Sequence, residues 1–146
     1  MQITRQADYA VRAVLYLAQL EPGQRAATAQ VSREQRIPQT FLAKIVAQLA
    51  SAGVLRTTRG AHGGIWLARA AETLSLLEVV EVIDGPLALN ACVQNPEVCE
   101  LAGSCALRAV WCEVQADLVQ RLAQTNFGQL AQQAQLVPQP AAALVL

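Results

Sequence analysis

The chain has 146 residues, is 53% apolar and 4% aromatic, and carries 11 basic and 11 acidic side chains. That is one domain, or a small domain with an appended helix; it excludes a disordered chain, and no apolar run is long enough to cross a bilayer, so no membrane partner is expected. The zero net charge hides an asymmetry: residues 1–70 hold nine bases and three acids, a balance of +6, while residues 71–146 hold two bases and eight acids, −6, as suits a half that faces phosphates beside one that does not, although two solvated faces of opposite sign would give the same balance.

Residues 4–20 place Ala7, Ala10, Val11, Val14, Leu15 and Ala18 at helical spacing, with Thr4 as N-cap. Charge within this pattern marks an amphipathic helix rather than a secretory signal, so a cytoplasmic location is expected. EPGQ at 21–24 is a turn, and a short helix over 28–35 is expected to open at Thr28. Ile37-Pro38 breaks the chain before a helix over 38–52, which stops at Gly53. Its apolar stripe is Leu42, Ile45, Val46 and Leu49, while Thr40, Lys44, Ala47 and Ser51 lie opposite. A second helix with a small, polar and cationic outer face describes a helix-turn-helix. Gln39, Thr40 and Lys44 are its candidate DNA contacts.

Val54-Leu55 and Ile65-Trp66-Leu67 read as two short strands around the glycine-rich turn RGAHGG. A hairpin directly after a recognition helix is a wing, and its arginines can enter a minor groove. Arg56, Arg59 and the sole histidine, His62, are the candidates there. Ser75 and Glu78 form a capping box ahead of VVEVIDG, and Gly85-Pro86 ends that helix. A loop over 86–104 follows, with Ser104 expected to cap a helix over 105–124. Leu107, Trp111, Val114, Leu118 and Leu122 form a stripe that either covers its own domain or makes a dimer seam; its length favours dimerisation. The expected fold is mainly α: a winged helix-turn-helix over 1–84, a cluster-binding loop over 85–104, a dimerisation helix over 105–130 and a loose tail over 131–146.

Cys92, Cys99 and Cys105 fall in the loop with C-x6-C-x5-C spacing. Soft thiolates suit iron–sulfur clusters, zinc or copper(I), and the closely spaced pairs usual in structural zinc sites are missing. A thiol switch or inert cysteines also remain open on spacing alone. Cys105 and Cys112 lie two helical turns apart, roughly 10 Å, so one small cluster hardly reaches both; Cys112 reads as a buried or interfacial thiol. Asp8 and Arg12 form an i, i+4 pair, in isolation a solvated ion pair. With one histidine, no nucleophile elbow and no phosphate loop, an enzyme is not expected.

The order of motifs resembles the Rrf2 family of bacterial transcription regulators over roughly residues 1–130. The resemblance is carried by ITRQADYAVRAVLYLA, IPQTFLAKIVAQLASAGVLRTTRGAHGGIWLAR, LSLLEVVEVIDG and the cysteine triplet followed by ALRAVW. It implies a homodimer that binds a double-stranded DNA operator, with an iron–sulfur cluster on Cys92, Cys99 and Cys105. IscR-like members add a histidine three residues after the last cysteine; here that position is Arg108, and Ala43 stands where they carry a glutamate. NsrR-like members, which sense nitric oxide, use an aspartate from the first helix of the other subunit, and Asp8 stands at the matching place. The resemblance therefore implies a 4Fe–4S cluster, with 2Fe–2S as the alternative, and Arg12 orienting the carboxylate. The function expected is a repressor released by nitric oxide; a regulator of iron–sulfur assembly or iron supply, and a cluster-free thiol sensor, are the alternatives.

Overall fold

The computed structural model describes residues 2–137. Among the described residues there are seven α-helices and one two-stranded sheet. α1 (Arg5–Ala18) opens as its sequence expects: Thr4 has extended backbone and its hydroxyl accepts from the Ala7 N–H at 3.2 Å. Ala7, Ala10, Ala13, Val14 and Leu17 are its buried stripe. α2 is Thr28–Gln35, but Thr28 is its first helical residue and Ala27, with no side chain able to cap, precedes it. The turn after α2 places Arg36 in the left-handed region at φ 52°, and the Ser32 hydroxyl donates to the Ile37 carbonyl at 2.6 Å. With the Ile37 N–H donating to the Ser32 carbonyl at 2.9 Å, that bond ties the end of α2 to the turn that leads into α3 (Gln39–Ser51). Pro38, with its fixed φ, sits just before α3 at the N-cap.

The wing is longer than its apolar residues alone suggest. β1 (Leu55–Thr58) pairs antiparallel with β2 (Gly64–Leu67), Arg56 opposite Trp66 and Thr58 opposite Gly64. Arg56 is thus a residue of β1, outside the turn between the strands. Ala26 adds a third short arm, exchanging two backbone hydrogen bonds with Ile65 at 3.0 and 2.8 Å. The core lies where these elements meet: Leu42, Ile45 and Leu49 of α3 are fully buried with Val14, Val31, Val54, Ile65 and Val79.

α4 (Leu76–Asp84) has the expected cap, the Ser75 hydroxyl accepting from the Glu78 N–H at 3.1 Å. It packs on α1, α3 and α6. The following segment is more ordered than a plain loop, with a short helix α5 (Ala91–Gln94) and a 3-10 turn at Pro96–Val98. α6 is Ala106–Gln124, and its N-cap is Cys105 without a side-chain cap, not Ser104. The helix ends at Gln124 rather than running on. A separate helix, α7 (Phe127–Leu136), is capped by Asn126, whose side chain accepts from the Gln129 N–H at 2.9 Å. α7 packs against α1, with Phe127 fully buried. Residues 131–136 of the expected loose tail are therefore helical, because the Leu76 N–H donates to the Thr125 carbonyl and the Phe127 N–H to that of Leu74. Residues 138–146 of that tail lie outside the described residues.

Candidate functional site

Two surfaces concentrate the candidate residues. The first is the outer side of α3 with the wing. Burial of Leu42, Ile45, Val46 and Leu49 turns Gln39, Thr40, Ala43, Lys44 and Ala47 outward, and all five are exposed. Arg56, Arg59 and His62 are exposed on the wing. Phe41, 46% exposed despite its size, packs edge-on against Tyr9 with centroids 5.9 Å apart. Sequence reasoning missed Arg25: its guanidinium lies 4.4 Å from the Trp66 ring centroid and donates to the His62 carbonyl at 3.3 Å. No local pattern flags such a residue, because its partners come from β2 and the wing turn.

The second surface is the cysteine segment. Cys92 lies in α5, Cys99 follows the 3-10 turn and Cys105 stands at the N-cap position of α6; all are free thiols and partly buried. Among the described residues, no three His, Cys, Asp or Glu side chains stand together as ligands of a single metal ion. One protomer therefore holds no ready-made mononuclear cage. Cys92, Cys99 and Cys105 are soft donors placed on α5, after the 3-10 turn and just before α6, the donor chemistry that thiolate-bound metals and iron–sulfur clusters use. The N–H groups of α6's first turn, uncapped by a side chain, also favour a negatively charged group beside Cys105.

The segment is tied to α6 at two points. The Arg108 Nε–H donates to the Cys92 carbonyl at 2.9 Å, and the Leu89 N–H donates to Gln115 Oε1 at 2.9 Å. The side chain at the position of the IscR-like histidine thus acts as a strut. Cys112, half-buried, sits between these two residues on the inward side of α6. The outward side is apolar and uncovered: Leu107 is 65% exposed, Val110 50%, Trp111 40% and Val114 46%.

Asp8 lies in the first turn of α1, on an open groove lined also by Ile3, Thr4, Val11, Leu76 and Val80. Arg12 holds it at 3.3 Å, as the i, i+4 spacing expects. Arg12 does more: its Nη1 donates to the Gln35 carbonyl at 2.9 Å, and its guanidinium lies 4.9 Å from the Tyr9 ring centroid. The helix that carries Asp8 is thereby anchored at the α2–α3 turn. A further tie, Gln6 Nε2 to Gln48 Oε1 at 2.6 Å, joins α1 to α3. One turn before Asp8, the Thr4 N–H and hydroxyl both donate to the Asp84 carboxylate, at the point where α4 gives way to the cysteine segment.

Residues 3–133 match the profile of the Rrf2 family, described as iron-dependent transcriptional regulators. A Rhizobium meliloti protein, aau3, is 35% identical over 111 residues, which span 75% of this chain and 71% of that protein. The fold is similar to that of CymR, the global cysteine regulator of B. subtilis: TM-score 0.77 at 20% identity, covering 91% of this chain and 98% of that one. It is also similar to T. potens IscR, with TM-score 0.75 at 20% identity over 96% of this chain and 94% of that one. The oxidized form of Staphylococcus aureus CymR gives 0.73 at 23% identity, over 90% and 96%. With its winged helix, exposed recognition face and matching profile, the chain belongs to the Rrf2 family of DNA-binding transcription regulators and is not an enzyme.

Proposed function

We propose that the chain is a cytoplasmic repressor that binds a double-stranded DNA operator as a homodimer, with its affinity set by an iron–sulfur cluster and nitric oxide as the signal. The observation that carries this reading is the cysteine segment: three unpaired thiols on consecutive short elements, rooted between α4 and α6. Cys92, Cys99 and Cys105 would hold the cluster, with Asp8 of a second copy as fourth ligand. The resemblance to NsrR-like members, with three thiolates and one carboxylate, favours 4Fe–4S over 2Fe–2S. When bound, the cluster supplies iron that combines with nitric oxide.

The rest of the mechanism belongs to the chain. The apolar outer side of α6 buries against its copy, which brings α1 of one protomer to the cysteine segment of the other. The division into a DNA-binding part over 1–84, a cysteine segment over 85–104 and a dimerisation helix after it follows from this. Asp8 has two competing partners, the cluster site of the other copy and Arg12 of its own helix. Arg12 also grips the Gln35 carbonyl, so the position of Asp8 and that of the α2–α3 turn depend on one side chain. Gln39, Thr40 and Lys44 reach base edges in the major groove, and Arg56, Arg59 and His62 serve the adjacent minor groove. Two such surfaces must sit about 34 Å apart to meet half-sites on one DNA face, so a shift of α1 relative to its partner changes affinity.

Anaerobically purified protein should be brown and contain iron and acid-labile sulfide. Asp8→Ala should keep a thiolate-bound cluster but change the rate of its reaction with nitric oxide; unchanged kinetics and unchanged operator affinity would end the ligand assignment. A colourless protein whose thiol count falls reversibly with oxidant would instead favour the thiol-sensor reading, which the free, half-buried Cys112 keeps in view.

A further inference from the structure

The wing tip carries four exposed or half-exposed positions in a row, Gly60 to Gly63, and a two-stranded ribbon alone would hold it loosely. It is held from outside by Arg25. The Arg25 guanidinium lies over Trp66 of β2 at 4.4 Å and donates to the carbonyl of His62 at the tip, 3.3 Å away. Its neighbour Ala26 is bonded to Ile65 in both directions. The approach is so close that a Cβ on Gly64 would stand 2.7 Å from the Ala26 carbonyl oxygen. Residues 25 and 26 thus form a bracket: Ala26 fixes β2 at its tip-proximal end, and Arg25 spans from Trp66 to the tip carbonyl.

We propose that Arg25 is a positioning residue for DNA binding, which sets the pose of the wing through Trp66 and the His62 carbonyl instead of contacting phosphate. Its flat guanidinium can stack on the indole with one face while an edge N–H is spent on the carbonyl; a lysine offers neither the plane nor the fork. This rests on the reading that Arg56 and Arg59 of the wing touch DNA.

The test uses the full-length dimer and the duplex it enriches from a randomised pool. It compares Arg25→Ala, Arg25→Lys and Arg59→Ala with the unaltered chain. In free protein, without DNA, both Arg25 variants should speed amide hydrogen exchange at residues 59–64 about tenfold, while α1 and α3 keep their protection. On DNA, both should weaken binding about tenfold with an unchanged dependence on salt. Arg59→Ala, which removes one arginine from each of the two copies, should instead make the plot of log affinity against log salt shallower by about 1.8. Unchanged exchange in the free protein overturns the proposal whatever the DNA result. So does a shallower salt slope in Arg25→Ala that Arg25→Lys restores, because that pattern marks a phosphate contact. If Arg56→Ala and Arg59→Ala both leave affinity and slope unchanged, the wing reading itself fails, and the exchange result still decides the role of Arg25 within the fold.

Discussion

Gly64 shows how much a single residue can decide. Its φ of 151° is one that side-chain-bearing residues rarely adopt, and the space a Cβ needs is filled by the Ala26 backbone. Gly64→Ala should therefore lose about 2 kcal/mol, read as a lower urea midpoint at unchanged slope. Arg12 is a second such point. Removing it leaves the Gln35 carbonyl and the face of Tyr9 without their partner, along with a largely solvent-screened ion pair to Asp8. Arg12→Ala should cost about 1–2 kcal/mol, mostly from the carbonyl bond and the ring contact, and raising the salt concentration should barely change that loss. What was legible at this scale follows from distance along the chain. The Thr4 and Ser75 caps and the Asp8–Arg12 pair depend on neighbours three or four residues away, and each forms as its spacing expects. Arg25, Arg108 and Asp84 find partners brought near only by folding, and nothing in their surroundings along the chain announces them.

Among the elements, α7 was the one the pattern hid. FGQLAQQAQL has few large apolar residues, and its anchor is the single ring of Phe127. Its placement also depends on pairing between Ser75 and Asn126, far apart in sequence. Phe127→Ala should destabilise by about 3–5 kcal/mol, and Asn126→Ala by about 1 kcal/mol through the lost cap. Thermal unfolding would separate them, the second lowering Tm by only a few degrees. If α7 were an accessory tail, Phe127→Ala would leave Tm where it is. The helix-turn-helix was legible because the burial of α3 recurs at helical spacing, and the wing because a glycine-rich turn separates two short apolar runs. The start of α6 was not, since a serine and a cysteine stand side by side there and the helix begins after the cysteine.

For the whole molecule, the uncovered side of α6 carries the clearest expectation. Leu107, Val110, Trp111 and Val114 expose large apolar surface on one side of a helix none of whose residues is fully buried. Val114→Glu should convert the protein to a monomer in sedimentation experiments while leaving its helical content unchanged, and it should abolish tight operator binding because one protomer offers a single half-site. The groove at Thr4 has a consequence for how two copies respond together. Asp84 stands at the root of the cysteine segment and holds Thr4, which begins the helix bearing Asp8. If each Asp8 serves the opposite copy, slackening one protomer's thiol segment loosens the hand that protomer extends to its twin. Emptying would then proceed as a linked pair of events rather than two independent ones, and Asp84→Ala should restore independence, visible as a change from sigmoidal to simple exponential decay of the chromophore.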